Sequence, residues 1–228
     1  MPRPTFRFLP TQSKLMYFMR IATAVAALAL LSSGASADEG PANSRLALEE
    51  SFDRDELGKG WNSTTGQWKI VDGVLRGSEI AEEKHAAATR RVLVTENAVY
   101  QMKFRLIDGA KMFHFGFDPA RGELDKKGHL FSVIITPTSW SVMKHVDKNR
   151  REEDPNETLA ESETEFNVGQ WYTLKVTTWE NTVTARVEGK EPLKVSHPTF
   201  GVKKPTLVFR CGGNGVEIDD IKVWTQKP

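Results

Sequence analysis

The amino-acid sequence predicts an all-β fold in which two antiparallel sheets pack face to face as a jelly-roll β-sandwich. Three observations lead there. Beyond residue 47 the chain is a succession of short runs with period-two alternation, such as YQMKFRL, MFHFGF, YTLKVTTW and TVTARVEG, separated by Gly, Asp, Asn and Pro. Side chains alternate between the faces of a strand, so this pattern belongs to sheets with one buried face. No stretch carries a 3.6-residue apolar repeat, and no period of 20 to 50 residues suggests a propeller or solenoid.

Residues 1–37 hold Arg3, Arg7, Lys14 and Arg20 without an acid, then the apolar run Ile21–Leu31 and the small residues Ala35-Ser36-Ala37. That is the layout of a secretory signal peptide, with Met16 or Met19 as alternative starts. The apolar run falls short of the roughly 20 residues that span a bilayer. The expected product is therefore an exported protein, periplasmic or extracellular, with no stable membrane insertion after cleavage near Ala37. Residues 38–47 read as a polar linker, and 48–226 as one β-sandwich domain.

Within that domain, QWKIV-DG-VLRG is a strong hairpin signal, because both central residues of a type I′ turn need positive φ. Asp108-Gly109 repeats the device between YQMKFRLI and AKMFHFGF, and Glu180-Asn181 joins WYTLKVTTW to TVTARVEG without the glycine. Glu79–Arg90 reads as a loop with no more than one turn of helix. DKNRREEDPNETLAESETE, Asp147 to Glu165, has almost nothing to bury and reads as a solvated loop between strands or as a lid over a binding face.

Composition excludes several functions. With 31 basic against 30 acidic residues the chain lacks the excess that phosphate recognition needs, so no nucleic-acid partner is expected. A single cysteine cannot form an intrachain disulfide, and Cys211, inside the apolar run LVFRC, reads as a buried thiol.

Three stretches carry a family resemblance: SFDRDELGKGWNSTTGQWKIVDGVLRG, VGQWYTLKVTTWENTVTARVEG and NGVEIDDIKVW. They resemble the concanavalin A-like lectin/glucanase superfamily, and within it the exported bacterial 3-keto-disaccharide hydrolase domain. Trp61, Gly66, Trp68, Asp72, Gly73 and Leu75 fill that family's first-hairpin pattern, and Gly169, Gln170, Trp171 and Tyr172 its later G-Q-W-Y. The resemblance spans Leu48 to Trp224 and implies a concanavalin A-like jelly roll with a carbohydrate partner. The middle departs from the family, reading AKMFHFGFDPARGELDKKGHLFSV where an N-S-G-I-like strand and a Glu-Tyr pair are expected.

Candidate site residues follow from alternation and residue chemistry. Phe113, Phe115 and Phe117 occupy one face of their strand and must be core, which turns Met112, His114 and Gly116 outward. His129 and His145 belong to neighbouring strands, so His114, His129 and His145 are candidate proton-transfer groups, with Asp118 or Asp147 to orient an imidazole and Lys144 beside them. Trp68, Trp171 and Trp224 read as core, whereas Trp61, Trp140 and Trp179 lie beside turns and are candidates for stacking on sugar rings.

EIDDIK at Glu217–Lys222 is similar to the E-I-D-x-x-E motif of laminarinase-type glucanases, but its third position is Lys222, so the strand reads as structural. The resemblance implies that this last strand pairs with the first and that Asp219 or Asp220, with Glu50 and Asp53, holds a structural calcium. Two functions follow: an exported glycoside hydrolase of the 3-keto-disaccharide type, or a carbohydrate-binding or envelope module without chemistry.

Overall fold

The computed structural model describes residues 40–227. The leader expected at 1–37 lies outside them. Among the described residues, fifteen strands and one 3-10 turn (Ala81–Glu83) make up the regular structure. One sheet runs β3 (Gln67–Val71), β4 (Val74–Ser78), β15 (Val216–Gln226), β6 (Ala98–Leu106), β11 (Tyr172–Trp179), β12 (Thr182–Val187) and β13 (Leu193–Ser196), with β1 (Ser44–Glu50) also paired to β15. The other runs β2 (Trp61–Thr65), β5 (Ala87–Thr95), β14 (Lys204–Gly213), β7 (Ala110–Phe117), β8 (Phe131–Ile135), β9 (Ser139–Lys144) and β10 (Glu157–Glu163). Every pair is antiparallel, so the jelly-roll sandwich is realised as two sheets of eight and seven strands.

Aromatic packing between the sheets sets their orientation. Phe113, Phe115, Phe117, Phe131 and Phe209 of one sheet and Tyr100 and Phe104 of the other are all inaccessible to solvent. Tyr100 lies 4.9 Å from Phe117 and 5.6 Å from Phe115, and Phe104 is 5.5 Å from Phe113. The Tyr100 hydroxyl, the one polar atom on that ring, lies 2.8 Å from the Thr95 hydroxyl. A buried hydroxyl without a partner would cost about 1 to 3 kcal/mol.

The last strand shows how sequence dictates a local irregularity. Ile218 and Ile221 are three apart and would face opposite sides of a regular strand, yet both are fully buried. A bulge at Asp219–Asp220 reconciles them: the register with β6 shifts between Asp219 and Lys222, and Asp220 takes φ 48°. β1 pairs with β15 as expected, but it begins at Ser44, inside the stretch read as linker.

Two turn readings hold and one is corrected. Asp72 (φ 52°) and Gly73 (φ 76°) close the β3–β4 hairpin, and Glu180 (φ 49°) begins the turn that sets Trp179 opposite Thr182. Asp108-Gly109 does not close a hairpin. Only Gly109 takes positive φ (77°), and β6 and β7 lie in different sheets, so the link is a crossover that lets their apolar faces meet across the core. The acidic segment is also corrected in part. Glu157–Glu163 forms β10, paired with β9 at the sheet's edge, where charged side chains face water and oppose pairing with another chain. Ala87–Arg90, expected in a loop, belongs to β5.

Because Phe115 touches Tyr100, Phe117 and Phe209 at once, Phe115→Ala should cost about 3 to 5 kcal/mol of stability. Urea denaturation measures it. A loss below about 1 kcal/mol would contradict the inward placement of this face.

Candidate functional site

Strand pairing places the outward residues of the seven-stranded sheet side by side. His114 of β7 lies opposite Ile134 of β8 and Arg210 of β14, Gly116 opposite Ser132 and Val208, and Arg90 of β5 opposite Val208 and Asn62. Ser132 is in turn opposite Met143, two residues before His145. His114, Ser132, His145, Arg90 and Arg210 therefore share one face. Asp118 and His129 join them from the connection between β7 and β8.

The cluster is bonded in two units. The His129 Nδ1–H donates to Asp118 Oδ1 at 2.5 Å, since a carboxylate can only accept, and Arg90 Nε donates to Asp118 Oδ2 at 3.2 Å. Burial works to raise the Asp118 carboxyl, but the His129 and Arg90 contacts outweigh it and hold it below the ordinary carboxylate range. The second unit joins His145 Nε2 to the Ser132 hydroxyl at 2.8 Å, and the His145 ring lies 5.4 Å from that of His129. Gly116 makes room for this unit, because a Cβ there would collide with Ser132 Oγ.

His114 stands apart. It is 8% exposed, and its Nδ1 is buried without a hydrogen-bond partner. Burial, then the charges of Arg210, His145 and His129, push the His114 imidazole down to about 3. His145 is likewise pushed down to about 3, by burial and then by His129, Arg210 and Lys126. Both are therefore held neutral at physiological pH.

Several candidates fall elsewhere. Trp140 is 1% exposed because Trp140, Val142 and Lys144 form the inward side of β9, so it is a core residue and not a sugar platform. Lys144 shares that side at the strand end. It is 5% exposed, pairs with Asp154 and donates to the Pro155 carbonyl at 2.9 Å, which leaves it no role on the outer face. Trp61 is wedged between Phe52 and Phe209, each 5.6 Å away, and donates to Glu50. Trp171, read as core, is half-buried with Arg105 4.7 Å over its ring. Trp179 is 49% exposed but belongs to the other sheet, in a hollow of about 340 Å³ shared with Trp224, Asn97 and Thr177. Asp147 orients no imidazole: backbone N–H groups of Asn149 and Lys127, then Arg150, hold it at about 2.

The acids expected to hold a calcium each have a partner within the chain. Glu50 is bound by both Arg54 nitrogens and by Trp61, and Asp220 by Lys103. Asp219 accepts from the Asp220 N–H, and its carboxyl is raised by burial with Asp220 and Asp53 adding repulsion. Among the described residues no three His, Cys, Asp or Glu side chains gather as a metal group. Glu217 of EIDDIK is buried between Arg76 and Arg105 in the eight-stranded sheet, an ion-paired structural residue.

Sequence reading missed Arg90, Arg210 and Ser132. The signal for two of them was present: Arg210 alternates with Phe209 and Cys211, and Ser132 with Phe131 and Val133, so both had to face outward beside His114. A cavity of about 560 Å³ lined by Arg45, Thr95, Glu96, Lys203 and Gln226 shares no residue with the cluster, and it offers volume without the convergent buried groups that make a reactive site.

No protein-family model matches the chain, and no curated protein matches its sequence. Solved structures do match its fold. A non-specific endo-β-1,3(4)-glucanase of family GH16 superposes with a TM-score of 0.61 at 12% identity, over 82% of this chain and 93% of that one. The laminarinase from Rhodothermus marinus gives 0.60 at 10% identity, over 81% and 98%. A CBM2 module from the evolved Dit of Lactobacillus casei BL23 phage J-1 gives 0.58 at 10% identity, over 82% and 97%. The chain thus has the concanavalin A-like jelly-roll fold. At these identities the likeness is one of architecture, and function rests on the site. Among the described residues no helix is long and apolar enough to cross a membrane.

The two neutral imidazoles make stability depend on pH. An unfolded histidine binds its proton near pH 6.5. Between about pH 6.5 and 3 the unfolded chain therefore takes up protons that folded His114 and His145 refuse, and stability falls as pH drops through that window. The expected slope is on the order of 1 kcal/mol per pH unit for each imidazole. Urea midpoints from pH 7 to 4 measure it, and His114→Gln/His145→Gln should flatten the curve. An unchanged slope in the double variant would show that these imidazoles are not held neutral.

Proposed function

We propose that this chain is an exported, carbohydrate-active protein that cleaves glycosides by histidine proton transfer on the outer face of its seven-stranded sheet, the reaction type of the 3-keto-disaccharide hydrolases it resembles. The observation that carries the proposal is the 2.5 Å bond from His129 Nδ1 to Asp118. With Nδ1–H committed to the carboxylate, a neutral His129 presents its lone pair at Nε2, and Asp118 stabilises the imidazolium that forms when that atom takes a proton.

The face suits elimination better than ordinary glycoside displacement. Retaining and inverting hydrolysis both use two carboxyl groups flanking the bond, and Asp118, the one carboxylate in this cluster, already has both oxygens bonded. A ketone at sugar carbon 3 acidifies the proton on carbon 2. His129 Nε2 takes that proton, the C–H pair moves to form the enolate, and its collapse breaks the bond from carbon 1 to the glycosidic oxygen. The oxygen leaves with a proton returned from the imidazolium. Water adding to the resulting enone at carbon 1 completes a net hydrolysis. His145, hydrogen-bonded to Ser132, packs against His129 with the rings 5.4 Å apart.

The structural neighbours, glucanases and a carbohydrate-binding module, support a glycan ligand. The exposed Trp179 ring favours the second reading, a binding module without chemistry, on the other sheet. Turnover of 3-keto-disaccharides and of their unoxidised parents decides between them. His129→Ala should lower kcat/KM by about 10² to 10⁴ with the melting temperature nearly unchanged. A parent chain that turns over none of these substrates, or a His129→Ala variant as active as the parent, would overturn the hydrolase reading.

A further inference from the structure

Among the described residues, Arg210 is a cation of the outer face with no hydrogen-bonded counter-ion. Among the described residues, Arg76, Arg90, Arg91 and Arg105 are the other arginines withdrawn from solvent, and each donates to an oxygen: Arg76 and Arg105 to Glu217, Arg90 to Asp118, Arg91 to the Val92 carbonyl. The Arg210 guanidinium has no hydrogen bond or ion pair. Asp118, the only acid acting on it, has both oxygens bonded elsewhere. Burial, then repulsion from Arg90, presses the Arg210 pKa down, which shows how poorly its charge is compensated.

Its neighbour lacks a partner as well. His114, opposite Arg210 in the ladder, is more than nine-tenths buried with Nδ1 unpartnered. Two adjacent strands thus hold a guanidinium without a hydrogen-bond partner and, beneath the same face, a buried imidazole nitrogen that also lacks one. Leaving such groups unpaired costs free energy, whereas an anion laid across them would gain charge-assisted hydrogen bonds. A neutral ligand covering this spot would strip water from the guanidinium and return nothing.

We propose that Arg210 and His114 form an anion subsite, and that the glycan taken by this face is acidic, bearing an oxyanion as a uronate carboxylate or a sulfate ester. The planar donor fork of Arg210 engages two oxygens of that group, and His114 Nδ1–H donates to it. This rests on the reading of the face as a glycan site, and it narrows the substrate class. A charged group held on the same face as His129 would also fix which glycosidic bond meets the base.

Calorimetric titration of the full chain carrying His129→Ala, which removes the base and so separates binding from turnover, tests the subsite. The probes are digalacturonate, its neutral methyl ester, cellobiose 6-sulfate, cellobiose and inorganic sulfate. One of the two acidic sugars should bind at least about tenfold tighter than its neutral counterpart (methyl ester for digalacturonate, cellobiose for the sulfate ester), and which one identifies the oxyanion. The preference should shrink in high salt and vanish in Arg210→Met. Equal affinity for acidic and neutral sugars, a preference that survives Arg210→Met, or binding of an adventitious ion only would overturn the proposal. If Arg210→Met does not fold, the ester comparison and the salt dependence on the Arg210 chain decide alone. Acidic sugars bound at Arg210 by a parent chain that cleaves nothing would leave the subsite standing and remove the hydrolase reading. Cleavage of neutral 3-keto-disaccharides without acid preference would do the reverse.

Discussion

Everything on the outer face depends on three phenylalanines behind it. Phe113, Phe115 and Phe117 are fully buried against Tyr100, Phe104 and Phe209, and turning them to water would cost roughly 1.5 to 3 kcal/mol each. Because a strand alternates, that burial leaves His114 and Gly116 no choice of side. Pairing then carries the constraint across the sheet: Ser132 and Arg210 lie opposite these residues, and the same alternation brings His145 to the face. A core built from large rings thus positions polar groups that share no sequence neighbourhood.

The charges on the two sheets are treated differently. On the eight-stranded sheet Glu217 is closed in by Arg76 and Arg105, an arrangement in which each charge is answered and nothing remains for a ligand. On the seven-stranded sheet Asp118 is answered by His129 and Arg90, but His114 Nδ1 is buried without a partner and the half-buried Arg210 has no ion pair. Uncompensated buried polar groups weaken a fold, and they persist where binding or chemistry satisfies them. That contrast, more than the presence of histidines, separates a functional face from a structural one.

Much of the fold was legible in the sequence because its decisive signals are local. Asp72-Gly73 needed two positive φ values, and the Phe face needed burial. Asp108-Gly109 misled because a turn dipeptide does not specify whether the next strand pairs with the last or crosses to the other sheet; only the interlocking of Phe104 with Phe113 across the core does that. β10 escaped notice since an edge strand can be almost wholly polar. At the site, alternation located His114 correctly. Trp140, read from its proximity to a turn, and Lys144, read with the histidines beside it, both alternate with Val142, which puts them on the inward side. Arg210 was overlooked because an arginine between Phe209 and Cys211 resembles core until its parity is counted.

The central claim is that the outer face holds a carboxylate-oriented His129 beside two imidazoles kept neutral by burial. Nitrogen-15 NMR of the histidine rings as a function of pH tests it most directly, since each ring reports its tautomer and its own titration. The structure predicts a His129 ring protonated at Nδ1 when neutral, and His114 and His145 rings that remain neutral at pH 5, well below an ordinary imidazole's pKa. His114 and His145 titrating near pH 6.5, with a neutral His129 protonated at Nε2 instead, would contradict it.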